Sequence, residues 1–315
     1  MKVVAKALLI GALTGATLAS AHAEDHLRVS KPSAIDFYFA VQQVGIEEGI
    51  FKKYNLDIET ISLNGSAKQH QAMTAGSTDI ALGSGTDMAF IAKGAPEKAV
   101  GVMAGPPVNM FILTGAKSGI KDVQDLKGKR IGVSTMGSLT YWLAVQFAKH
   151  QGWPENAIQI VPMGNIQAEA AAFSTGDLDA AVASLEGGLA MEAKGQAHLF
   201  KSFDFVNPFL VHVFFATNEL MTKNPDALKR YLKAWFETVA YTKTHKDDAV
   251  RITRSISHLP EDEAARVYDV IAPTLADDGH FDPKAVAVVK QSMVDLGQVD
   301  KLPNDSDLYT EAFLK

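Results

Sequence analysis

The sequence has no cysteine. That excludes disulfides, thiolate metal sites, a cysteine nucleophile and a lipidated cysteine at a processing site. It has no basic excess either. The formal charge is −6 at pH 7, which argues against a nucleic-acid binder that works through a basic surface. No G-x-S-x-G, no H-E-x-x-H and no cluster of histidine ligands occurs, so neither a nucleophile elbow nor a zinc site is expected. No metal and no cofactor are expected. Past the first residues, no stretch is apolar enough to span a bilayer. After Thr217 the strand-like runs stop.

What is present begins with "MKVVAKALLIGALTGATLASAHAED". Lys2 and Lys6 give a basic start, 7–19 is apolar, and Ala21-His22-Ala23 has the small-x-small form of a cleavage site. Residues 1–23 read as a secretory signal, and removing them makes the chain more acidic still. The apolar run is shorter than the ~20 residues a membrane-spanning helix needs. The mature chain is expected in a periplasm, as a monomer.

The chain then repeats itself. "AMTAGSTDIALGSGTDMAFIAKG" (72–94) is echoed by "AFSTGDLDAAVASLEGGLAMEAKG" (172–195). Gly76, Asp79, Ala81 and Ser84 align with Gly176, Asp179, Ala181 and Ser184. Upstream, Val29-Ser30 matches Val133-Ser134, and Ala40-Val41-Gln42 matches Ala144-Val145-Gln146. Each copy reads as strand, loop, amphipathic helix, strand, small-residue turn, helix, strand, serine, helix. Strands alternating with helices predict an α/β fold with mostly parallel sheets flanked by helices. Two such lobes would enclose a ligand at the carboxyl ends of their strands. "NPDALKRYLKAWFETVAYTK" starts with an Asn224 cap and Pro225, and carries an apolar stripe from Leu228 to Ala240. It and the later helices are expected to cover the first lobe.

"VGIEEGIFKKYNLDIETISL" (44–63), "IKDVQDLKGKRIGVST" (120–135) and "AGSTDIALGS" resemble the substrate-binding proteins of ABC importers. The group resembled is the one for nitrate, taurine, alkanesulfonates and thiamine-pyrimidine precursors. The resemblance implies a two-lobed, type II-like periplasmic binding protein with a cleft between the lobes and closure by hinge motion. It places crossovers near 113–116 and 214–217, so that 24–113 and 217–315 make lobe one and 114–216 lobe two. It implies a small organic anion or zwitterion as ligand, sulfonate- or taurine-like, and a membrane permease as partner. An aminopyrimidine or aromatic carboxylate is the alternative, and an exported enzyme or ligand sensor the alternative of another class. A fungal pyrimidine synthase resembles this fold, but its cysteine-rich motif is absent. Many sulfonate binders carry a tryptophan after the third strand of lobe two, where this chain reads "SLEGG".

The loops supply the candidate site. "STMGSLTYW" (134–142) offers hydroxyls and the free N–H groups of a helix start: an anion site without lysine, with Thr135, Met136, Gly137, Ser138 and Thr140 as candidates. No Gly-Lys-Ser/Thr follows, so it is not a nucleotide P-loop. Lobe one offers Ile35, Asp36 and Phe37, then Gly65 and Ser66, then Ser84, Gly85 and Thr86. Asn165, Glu186 and His212 complete the set. Phe37, Tyr38, Tyr141 and Trp142 lie at helix starts and could stack on an apolar ligand body. Glu186 beside an anion would be repelled: either it faces away from the cleft, or the ligand has a cationic or N–H-donor end. Asp36 and Asp87 pose the same question.

Overall fold

The computed structural model describes residues 24–154 and 156–314. The expected export signal over 1–23 lies outside the described residues.

Two five-stranded sheets form, each from one copy of the repeat plus one borrowed strand. The first contains β1 (Asp25–Lys31), β2 (Leu56–Ser62), β3 (Ile80–Gly83) and β4 (Glu97–Ala104). The second contains β5 (Met110–Gly115), β6 (Arg130–Val133), β7 (Gln159–Pro162), β8 (Ala180–Ser184) and β9 (Ala197–Ser202). The last strand, β10 (His212–Thr217), returns to the first sheet. The orders are β2-β1-β3-β10-β4 and β7-β6-β8-β5-β9. Within each sheet the borrowed strand, β10 or β5, runs antiparallel to both neighbours.

This pairing corrects the expected lobe boundaries. The chain crosses between sheets at 105–109 and 203–211, before β5 and β10 rather than after them. Residues 110–113 therefore belong to lobe two and 212–216 to lobe one. Buried on both faces, such strands read as continuous apolar runs, which in sequence look no different from the apolar connector expected there.

The repeat has a visible cause. Arg28 donates to Asp79 from its backbone N–H, its Nε and its NH2 at 2.9, 3.0 and 2.7 Å, and to the Gly76 carbonyl at 2.8 Å. Arg130 does the same to Asp179 at 2.9, 3.0 and 3.1 Å, and to the Gly176 carbonyl at 2.7 Å. Each pair ties the first strand of a repeat copy to the turn before its third. Val29 pairs with Ile80, and Ile131 with Ala180. Val29 thus corresponds to Ile131, and the match of Val29-Ser30 with Val133-Ser134 is displaced by two residues, one full strand period. Asp79→Ala is expected to cost about 1–3 kcal/mol, the value of charged hydrogen bonds lost from a half-buried site. Urea denaturation checks this, with the exposed Asp177→Ala as the control that should change little.

The helices follow the sequence pattern. Lobe one has α1 (Phe37–Glu47), α2 (Ile50–Lys53), α3 (Ser66–Thr74) and α4 (Met88–Ala92); lobe two has α5 (Leu139–His150), α6 (Ile166–Thr175) and α7 (Leu185–Glu192). Next come α8 (Asn218–Lys223), α9 (Pro225–Thr244), α10 (Lys246–Ser257), α11 (Glu261–Ile271), α12 (Pro283–Asp295) and α13 (Asp305–Leu308). Asn224 caps α9 by accepting from the Ala227 N–H at 3.2 Å. The α9 stripe of Leu228, Tyr231, Leu232, Trp235 and Val239 is buried, while Ala240 at its end is exposed. Trp235 packs edge-on against Phe214 of β10, centroids 4.9 Å apart. Tyr231 donates to Gln42 of α1 at 2.8 Å. The C-terminal helices therefore cover lobe one, as expected. Burial of each such large side chain contributes roughly 1.5–3 kcal/mol.

Candidate functional site

The strand ends of the two sheets face each other across a cavity of about 170 Å³. That is close to the ~150 Å³ cavity that holds one benzene, so it suits a small molecule. Its walls are apolar at Ile35, Phe39, Met110, Leu139, Ile166 and Val182. Polar groups enter from loops and helix starts.

Nine expected site residues line it: Ile35, Asp36, Gly65, Ser66 and Ser84 from lobe one, Ser138, Thr140 and Asn165 from lobe two, and His212 at the start of β10. Seven do not. Gly85 and Thr86 lie in the 3-10 turn behind Ser84, where Gly85 packs under the Leu210 carbonyl. Met136 points into solvent at 55% exposure. Thr135 and Gly137 sit on the rim. A Cβ on Gly65 would lie 2.8 Å from the Thr135 methyl, and Gln298 donates to the Gly137 carbonyl at 3.4 Å. The two lips of the cleft therefore touch.

Phe37 and Glu186 lie behind the cleft, on a second, much smaller cavity that α10 and α11 help to line. Glu186 turns away from the main cavity, one of the two arrangements left open by the sequence. It crosses between lobes instead: its Oε1 accepts from the Phe37 N–H at 2.7 Å, at the buried, positive N-terminal end of the α1 dipole. The expected aromatic stack is likewise spent on packing. Trp142 stacks on Phe209 of the second crossover at 4.3 Å, and Tyr38 bonds Thr274. Phe39, two residues further along α1 than Phe37, is the aromatic that lines the cavity.

The hydroxyl loop forms as expected, but its groups bond one another. Ser134, Ser138 and Thr140 make a triangle with sides of 3.0, 3.1 and 3.0 Å. Thr140 also accepts from the Ser134 N–H at 2.9 Å, and Ser138 from the Tyr141 N–H at 3.4 Å, which caps α5. Three hydroxyls carry three protons, so this closed ring leaves few donors aimed at a ligand.

The remaining polar wall is rich in acceptors. Asp36 caps α1, accepting from the Tyr38 N–H at 3.0 Å and from Asn109 of the first crossover at 3.4 Å. Burial, then the nearby Glu186 charge, hold its carboxyl well above the usual range, against the Tyr38 N–H and Lys31. Glu186 is raised too, by burial, despite its N–H and hydroxyl donors. His212 is pushed down to about 4 by burial and is neutral at pH 7. Its Nδ1 meets the Gly83 carbonyl at 3.3 Å, and its Nε2 has no hydrogen-bond partner, 4.0 Å from Asp36. Glu169 of α6, absent from the sequence-based set, lines the cavity at 3% exposure, and burial pushes it up to about 8. Among the described residues no lysine or arginine lines the cavity, and no group of three or more His, Asp or Glu could hold a metal ion.

A family model described as "NMT1/THI5 like" matches residues 36–249, more than half of the chain and nearly all of the cavity wall. The chain belongs to the NMT1/THI5-like family. Proteins similar to it include one of Brucella abortus (strain 2308) named as a binding protein, 27% identical over 219 residues, 68% of this chain. The match spans 66% of that relative's length, just under two thirds. A Bacillus subtilis (strain 168) protein named for aliphatic sulfonates binding is 23% identical over 242 residues, 74% of this chain and 70% of its own. Among solved structures, the alkanesulfonate-binding protein SsuA of Xanthomonas axonopodis pv. citri, bound to MOPS, superposes with a TM-score of 0.76 at 17% identity, covering 89% of this chain and 94% of its own. The desulfurization enzyme DSZB superposes at 0.65 and 15% identity, covering 92% and 97%. The fold of this NMT1/THI5-like chain is therefore the two-lobed periplasmic-binding-protein fold, which binding proteins and at least one enzyme share.

Glu169 left a trace in the sequence of this family member. Ile166, Glu169 and Phe173 fall on one face of "NIQAEAAAFSTG". A lone acid on the apolar face of an alanine-rich helix was the sign.

Proposed function

We propose that this chain is the extracytoplasmic solute receptor of an ABC importer. It captures a small organic anion or zwitterion between its lobes and delivers it to a membrane permease. The observation that carries the reading is the cavity. It is enclosed by the strand ends of two lobes joined by two short crossovers, and its lips meet at Gly65 and Thr135. A ligand that contacts both lobes favours the closed arrangement by its differential affinity for it. The names of the Bacillus and Xanthomonas proteins support a sulfonate-like ligand. The basic-then-apolar start supports export to the periplasm by a cleavable signal. A sequence without cysteine offers no thiolate nucleophile, which supports binding over catalysis.

The test is thermal denaturation of residues 24–315 against taurine, alkanesulfonates, nitrate, aromatic carboxylates, aminopyrimidines and a small-molecule extract of rich medium. A ligand at a hundred times its Kd adds about 2.7 kcal/mol. Failure of every probe and of the extract to raise Tm sinks the receptor reading. Unchanged uptake of an identified ligand in a deletion strain sinks transport and favours sensing.

A further inference from the structure

The cavity wall is mismatched to a simple anion. Asp36 and Glu169 are carboxyls, His212 is neutral with an unpartnered Nε2, and among the described residues no cation lines the wall. The hydroxyl triangle spends its protons internally. Bare sulfonate or nitrate would find no opposite charge on this wall, only the backbone N–H groups of helix starts.

Glu169 is the sharpest of these groups. It lies in the first turn of α6, almost fully buried, and its carboxyl has no hydrogen bond or ion pair among the described residues. Asn165 caps α6, accepting from the Ala168 N–H at 2.9 Å. Behind Glu169 the same helix face carries Ala172 and Phe173, in an apolar cluster with Leu113 and Leu178. So the carboxyl has apolar packing on one side and the cavity on the other. An acid in that position costs stability unless something pairs with it, and the cavity is the one place from which a partner can come.

We infer that the ligand carries a protonated amine, that the Glu169 carboxylate is its counter-ion, and that Glu169 sets the specificity of the cleft. This rests on the receptor reading and narrows its anion-or-zwitterion class to the amine-bearing members. Asp36 and the His212 Nε2, on the opposite wall, add acceptors for N–H groups of the same molecule. An anionic end, where the ligand has one, would meet the α5 start beside Ser138. A charge-assisted N–H···O bond to a desolvated carboxylate is among the stronger single contacts available, and it returns to Glu169 the charged form that burial disfavours.

The probe is a small-molecule extract of rich medium. It is divided, and one half is treated with an amine-acetylating ester. Untreated extract is expected to raise the Tm of the wild-type protein, and acetylated extract to leave it unchanged. Glu169→Gln, which keeps shape and loses charge, should lose the response by at least tenfold in the extract dilution required. Without extract the same variant should be the more stable protein at pH 8. A carboxyl raised to about 8 lowers stability as pH climbs from the ordinary glutamate range through 8, and the amide removes that slope. Acetylated extract that still raises Tm overturns the inference and leaves the receptor standing. So does a Glu169→Gln protein with an undiminished response. No response to either half overturns the receptor reading, and this inference with it.

Discussion

Replacing His70 by alanine is expected to destabilise the protein by about 3–5 kcal/mol, the cost of stripping one partner from a buried ion cluster. His70 of α3 is 2% exposed; its Nδ1 sits 2.6 Å from Glu97 of β4, and its Nε2 3.7 Å from Asp87, an ion-pair rather than a hydrogen-bond distance. The ring stacks on Phe90 at 4.5 Å and meets Phe215 edge-on. Burial alone would lower its pKa, but the two carboxylates outweigh burial and push it up to about 9. A histidine whose folded pKa is raised gives stability in full below its unfolded value near 6.5 and loses it as pH rises through 9. Between those limits the loss amounts to about 3 kcal/mol. Glu169 also lowers stability with rising pH, in a window that ends near 8, so the measurement is the difference between wild type and His70→Ala in urea from pH 6 to 9.5. A difference that stays flat across that range, or a variant within ~1 kcal/mol of wild type at pH 6, refutes the charged-cluster assignment. The effect should reach the cleft. Asp87 Oδ2 also accepts from the Ser84 N–H at 2.8 Å, and Ser84 lines the cavity.

His70 shows what the sequence hides. The repeat made the two-lobed plan legible because both copies keep the same glycine, aspartate and serine at the same strand ends. Asp79 and Asp179 recur because each clamps an arginine. Reading Arg28 against Arg130 would have set the register correctly, whereas Val-Ser against Val-Ser slipped by two residues and kept every side chain on its proper face. The crossovers were misplaced because β5 and β10 are buried on both sides and carry no alternation to mark them as strands. The loops that line the cleft were legible from their serines, glycines and asparagine. The direction of a single carboxylate was not. Glu186 and Glu169 both sit in first turns of lobe-two helices. One reaches across to the Phe37 N–H and the other lines the cavity; periodicity puts Glu169 on the buried face of its helix but does not say whether a carboxylate there meets the other lobe or the cleft.

The second large effect concerns closure. A Gly65→Ala substitution is expected to weaken ligand binding by one to two orders of magnitude while lowering Tm only modestly. Gly65 has φ +90°, a region that costs an L-residue about 1–3 kcal/mol. That strain sits in lobe one and is present whether the cleft is open or shut, so it lowers stability without selecting between the two. The clash is different. The new Cβ would lie 2.8 Å from the Thr135 methyl, in the other lobe, and only while the lips touch. Overpacking of this kind costs roughly 1–3 kcal/mol, and each ~1.4 kcal/mol charged to the closed state alone is tenfold in affinity. The two terms separate in the double variant. Thr135→Ser removes the methyl that clashes and leaves the Gly65→Ala strain untouched. The response to a small-molecule extract should therefore return toward wild type while the loss of Tm remains. If the double variant responds as poorly as Gly65→Ala alone, Gly65 and Thr135 are not the closing lips. If Gly65→Ala responds like wild type, binding does not require the lobes to meet there.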